Sequence, residues 1–154
     1  MLGTGYIKNG YILREQVNES LASDIAGDLN GSIRDIFLYD TQTQTTTLVS
    51  RSTDGDGTNG GSYDASISAD GRYIVYHSTA TDIAGDLNGA IQDVFLYDTL
   101  TQTTTLVSRS TDSDGTNANS GGASISADGK YVVFWSSATD ISGDLNGSII
   151  DVFR

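Results

Sequence analysis

An all-β fold assembled from copies of one unit is the fold class that three observations predict. The string Gly-Asp-Leu-Asn-Gly begins at Gly27, Gly85 and Gly143, a spacing of 58 residues in both intervals. Every apolar run alternates with a period of two, and none sustains a helical period. The 154-residue chain has 18 Gly and no Pro, so its turns must rest on Gly, Asn, Asp and Ser.

The elements follow in order. In the first copy, residues 5–8 and 11–15 flank Asn9-Gly10, a two-residue hairpin signal. A longer polar run leads from there to Asp24. The second copy is the clearest template. Residues 65–68 read as a short strand, and Ala69-Asp70-Gly71-Arg72 as a turn. Residues 73–78, Tyr-Ile-Val-Tyr-His-Ser, are β-branched and aromatic, as strands prefer. An Asp-bearing loop spans 79–92, and a third strand spans 93–98. A turn at 99–102 leads to a fourth strand over 103–110, and a second polar loop occupies 111–122. The third copy begins at Ala123; Phe153 aligns with Phe95, so the sequence stops inside the third strand of that copy. Residues 5–63, 64–121 and 122–154 are therefore expected as two full four-stranded antiparallel meanders and one that lacks its last strand.

Such a sheet is apolar on both faces and cannot bury both alone. Repeated four-stranded meanders solve this by stacking face to face around an axis as the blades of a β-propeller. Ile74 and Tyr76 should then face one neighbouring blade and Val75 the other. A β-solenoid or a sandwich is the alternative, though solenoid repeats are usually shorter. The strings SISADGRYIVYHS (66–78) and DVFLYDT (93–99) resemble the WD-repeat-like propeller repeats of the TolB type. Ala69-Asp70-Gly71 and Ala127-Asp128-Gly129 match that family's turn; Tyr39-Asp40 and Tyr97-Asp98 match the end of its third strand. The chain also resembles bacterial secreted or surface propellers with a Gly-Asp-x-Asn-Gly insert between the second and third strands. That resemblance implies a secreted, cell-surface or periplasmic location. The 58-residue repeat is longer than the usual blade of about 40–45 residues, and the excess lies in the two Asp-rich loops.

Charge narrows the function. The net charge is −12, and of 20 acidic residues only Glu15 and Glu19 are Glu. A bias to Asp points to turns and ion-binding loops. Nucleic acid is excluded as a partner, because phosphates need a basic surface. Cysteine is absent, which removes disulfides, zinc thiolates and thiol nucleophiles. No apolar run reaches the ~18 residues of a membrane helix, and the first sixteen residues lack the apolar stretch of a signal peptide.

The first loop carries the chemistry. Asp24, Asp28, Asn30 and Asp35 recur as Asp82, Asp86, Asn88 and Asp93, and again as Asp140, Asp144, Asn146 and Asp151. Oxygen ligands without His or Cys favour calcium. Gly31 and its counterparts would permit a tight bend, and several carboxylates in one loop repel each other unless a cation is present. The other reading is that these residues make Asx turns. The second loop, with Asp54 and Asp56 or Asp112 and Asp114, is a weaker metal candidate. Its Gly stands one residue too late for a sialidase Asp-box.

Catalysis has little footing. His77 is the only histidine and becomes Trp135 in the next copy; no Gly-x-Ser-x-Gly elbow is present. Repeated Arg51 and Arg109 are expected to pair with a neighbouring Asp. The expected function is a non-enzymatic, calcium-stabilised propeller module for binding or scaffolding, with a protein or glycan ligand. Propellers need about four to eight blades, so the expected partner is a second copy of the chain, a homodimer of about six blades. One alternative is the propeller part of a secreted glycan- or peptide-acting enzyme whose catalytic residues lie outside this chain. Another is a purely structural array in a surface protein.

Overall fold

The computed structural model describes residues 6–8, 11–15 and 30–154, the first two segments as backbone alone. Eleven strands and no helix occur among them, in three antiparallel sheets. The first sheet is a meander of β1 (Tyr6–Lys8), β2 (Tyr11–Glu15), β3 (Ile36–Asp40) and β4 (Thr45–Leu48). The second repeats it with β5 (Ser62–Ile67), β6 (Tyr73–Ser78), β7 (Asp93–Asp98) and β8 (Thr103–Leu106). The third holds β9 (Ser120–Ile125), β10 (Val132–Ser136) and β11 (Asp151–Phe153) in the same order. These are β-propeller blades, two of four strands and one of three.

The register follows from the repeat. Lys8 pairs with Tyr11, as a two-residue turn requires, although residues 9–10 lie outside the described residues. β6 and β7 pair without interruption from Tyr73↔Asp98 to Ser78↔Asp93. The first strand of each later sheet starts earlier than the apolar alternation suggests. A bulge between Tyr63 and Ser66 absorbs the extra length, and Asp64 sits there at φ 52°. Gly122 holds the equivalent place at φ 58°. One left-handed residue at a bulge breaks the period-two pattern and hides the strand start from a sequence reading.

The fourth strand ends sooner than its Thr-rich run suggests. Beyond Leu106, Val107 N–H still donates to the Val94 carbonyl at 2.7 Å, but Val94 N–H turns to the Ser108 side chain, whose Oγ accepts it at 2.9 Å. Ser50 does the same for Ile36 N–H, also at 2.9 Å.

The second sheet is sandwiched. Ile74, Tyr76, Phe95, Tyr97 and Leu106 share one cluster with Ile36, Leu38 and Val49 of the first sheet. Val75 and Val94 share another with Ala123, Ile125 and Phe134 of the third. Ile74 and Tyr76 therefore face one neighbour and Val75 the other, as the alternation of a strand dictates. Tyr76 stacks on Phe95 with ring centroids 5.9 Å apart, and Phe134 on Phe153 at 5.8 Å repeats the pair in the third sheet.

Candidate functional site

The second and third acidic loops each join the second and third strands of their sheet, and of the first acidic loop residues 30–35 are described. In the second copy the loop's centre is Asp93, the first residue of β7, with no exposed surface. Its Oδ1 accepts from Ser108 Oγ at 2.6 Å and from Thr116 Oγ at 3.1 Å. Its Oδ2 accepts from Asn88 Nδ2 at 2.6 Å. The same Asn88 amide donates to the Thr116 carbonyl at 2.7 Å. One carboxylate thus ties together the acidic loop, the end of the fourth strand and the second polar loop. In the first copy, Asp35 accepts from Asn30 at 2.7 Å and from Ser50 at 2.6 Å.

This arrangement explains a glycine of the second loop. A Cβ at Gly115 would collide with Asn88 Nδ2 and come within 2.8 Å of Asp93 Oδ2. Gly57 stands in the same relation to Asn30 and Asp35. The Asp-Gly-Thr strings of the second loop are therefore half of a latch whose other half is the Asn-to-Asp pair of the first.

The other expected ligands have different places. Asp82 accepts from Asn59 N–H at 3.2 and 3.1 Å, and Asp140 from Asn117 N–H at 3.2 and 3.0 Å. Each joins its loop to the second loop of the preceding copy. Asp86 Oδ1 caps Asn88 N–H at 3.1 Å, and Asp144 Oδ1 caps Asn146 N–H at 2.9 Å, as in Asx turns. Asn146 reaches Asp151 at 3.3 Å. Asp24 and Asp28 lie outside the described residues.

Asp86 is distinctive. It is 7% exposed, and its Oδ2 has no hydrogen-bond partner among the described residues; Asn88 Oδ1 and Asp144 Oδ2 share that condition. Burial pushes the Asp86 carboxyl up to about 6; the Asn88 N–H opposes this, and the Asp93 and Asp82 carboxylates add to it. Burial also raises Asp93, against its bonds from Ser108, Asn88 and Thr116. Among the described residues, no three carboxylates or histidines gather as a metal-binding group. An oxygen-seeking cation would have Asp86 Oδ2 and Asn88 Oδ1 as side-chain ligands, and carbonyls and water would complete its shell.

Arg51 and Arg109 depart from expectation. Each donates from Nε to a backbone carbonyl, Leu48 and Leu106 respectively, both at 3.0 Å. No ion pair to an Asp forms at either among the described residues. A carbonyl three residues back along the chain is within reach without ordering a second side chain. His77 is buried, stacked on Tyr63 at 5.6 Å, with Nδ1 3.9 Å from Asp64. No helix among the described residues is long and apolar enough to cross a membrane.

No protein-family model matches the chain, and no curated protein matches it. The chain is similar to TolB from Acinetobacter baumannii. The two are 20% identical with a TM-score of 0.47, over 92% of this chain and 28% of TolB. The chain thus spans a little over a quarter of TolB's length. Sequence reasoning missed one set of neighbours, Arg34, Tyr63 and His77. The signal for them is the difference between copies rather than their identity.

Proposed function

We propose that the chain is a non-enzymatic propeller module for binding or scaffolding, whose ring is completed by a second copy and whose acidic loops hold calcium outside the cytoplasm. The observation that carries this reading is the far face of the third sheet. Val75 and Val94 are fully buried beneath the third sheet, whereas their counterparts Val133 and Val152 are 41% and 77% exposed. The same face of the same repeat is covered once and open once. Its natural cover is another blade, presented by the side of the first sheet that carries Tyr39, the counterpart of Tyr97. An exposed apolar sheet face favours association.

The test compares Val152→Asp with Leu87→Asp, a control on a loop tip where the side chain is already 80% exposed. In sedimentation velocity, Val152→Asp should release the monomer and Leu87→Asp should leave the assembly intact. Equal behaviour of the two variants would remove the reading.

Calcium is supported by the buried, unpartnered oxygens of Asp86, Asn88 and Asp144. Binding to the folded state alone raises stability by mass action. Thermal melting in calcium should therefore exceed melting in a chelator, with a smaller difference for Asp86→Asn. A melting point indifferent to both changes would leave the loops as Asx turns only. The non-enzymatic part of the reading rests on the repetition of the acidic sets, since a catalytic set would be expected once in a ring.

A further inference from the structure

Between residues 62–96 and 120–154 the copies differ at eleven positions. Six changes are conservative, such as Tyr76 to Phe134. Four of the other five (Tyr63 to Gly121, Asp64 to Gly122, His77 to Trp135 and Gln92 to Ile150) fall in one region. The start of each first strand meets the end of its second strand there, beside the last loop residue of the preceding copy. In the first copy that loop residue is Arg34.

The two junctions differ in chemistry. Between the second and third sheets, Gln92 is neutral, and its N–H donates to Asn119 Oδ1 at 3.1 Å. Its amide also donates to the Ser120 carbonyl at 2.9 Å. Between the first and second sheets, Gly61 replaces Asn119 and Arg34 replaces Gln92. The Arg34 N–H has lost that acceptor and has no partner among the described residues. Its guanidinium lies over the Tyr63 ring, 5.1 Å from the centroid, and makes no ion pair among the described residues. Tyr63 in turn stacks on His77, and its hydroxyl sits over Gly61 without a hydrogen bond to any described residue. Arg34, Tyr63, Ser32, Ile33, Gly60 and Gly61 line one open depression.

We infer that this depression is a binding site for a carboxylate-bearing ligand, with Arg34 as the group that holds the carboxylate. Its unused groups are donors: a guanidinium fork, a backbone N–H and a phenol. A planar carboxylate matches the fork with two parallel hydrogen bonds. The aromatic stack fixes the guanidinium in place, which lowers the ordering cost of binding. The net charge of −12 opposes any anion, but charges farther than about 8 Å are largely screened at physiological ionic strength. Among the described residues the site is not repeated, because the second junction has neither the charge nor the uncapped N–H.

The test titrates 15N-labelled protein with N-acetylglycylglycine and, separately, with glucuronate. N-acetylglycylglycine amide and matched sodium chloride serve as controls. The Arg34 backbone N–H and side-chain Nε–H signals should shift saturably with a carboxylate probe and stay still in both controls. The Gln92 N–H, an internal reference, should stay still throughout. Arg34→Gln, which installs the residue natural to position 92, should keep the spectrum folded and abolish the shifts. A response to one carboxylate alone identifies its source as peptide or sugar. No saturable shift with either carboxylate, equal shifts at Gln92, or undiminished binding by Arg34→Gln would each overturn the inference.

Discussion

Asp93→Ala is expected to destabilise the protein by about 3–5 kcal/mol. The substitution removes a buried acceptor and leaves the Ser108 Oγ–H and one Asn88 Nδ2 proton facing an apolar methyl, while Thr116 Oγ keeps the Ala118 carbonyl at 2.9 Å. Each buried donor left unpaired costs roughly 1–3 kcal/mol. The loss is moderated by the desolvation that burial already imposes on this carboxylate, seen in its raised pKa. The repeat supplies a control. Asp151 accepts only from Asn146 among the described residues, at 3.3 Å, and is half-buried. Asp151→Ala should therefore cost much less, about 1 kcal/mol or below. Urea unfolding of the two variants measures the difference directly. Equal losses would mean that the Asp93 network contributes little.

Phe95→Ala should cost a similar amount, about 3–5 kcal/mol, for a different reason. Its ring is fully buried between the first and second sheets and stacks on Tyr76. Truncation would open a cavity in the interface that holds two blades together. Phe153, its counterpart, stacks on Phe134 at the same separation to within 0.1 Å but is half-buried. Phe153→Ala should cost less, because the site borders solvent and can relax. Thermal unfolding of the two variants checks the order.

The strands were the legible part of this chain. The runs 73–78 and 93–98 coincide with β6 and β7, and the alternation of Ile74, Val75 and Tyr76 assigns each side chain to the correct neighbour. Period-two patterning is local, and both faces of the sheet are buried, so six residues suffice. The first strand was harder because the left-handed Asp64 and Gly122 shift the register within the strand.

The loop was legible in position but not in wiring. Asn88 and Asp93 do meet, but as a hydrogen-bonded pair in which Asn88 turns its amide toward the carboxylate, and no three carboxylates gather among the described residues. The partners that complete the network, Ser108 and Thr116, lie 15 and 23 residues beyond Asp93. Hydrogen bonds across such separations leave no periodic trace. The Asp82 and Asp140 clamps are equally nonlocal, each reaching into the preceding copy. The Arg34 site left a trace of another kind. Its residues are among those at which closely similar copies diverge in chemistry, and only the fold places them side by side.

The most direct test of the account is the mass of the wild-type chain in solution, by sedimentation equilibrium over a range of concentrations. One chain weighs 16.2 kDa. The account predicts a closed species of two chains, twice that mass, with no larger assembly as concentration rises. A well-folded monomer at every concentration would contradict it, because the open face of the third sheet would then need no second copy.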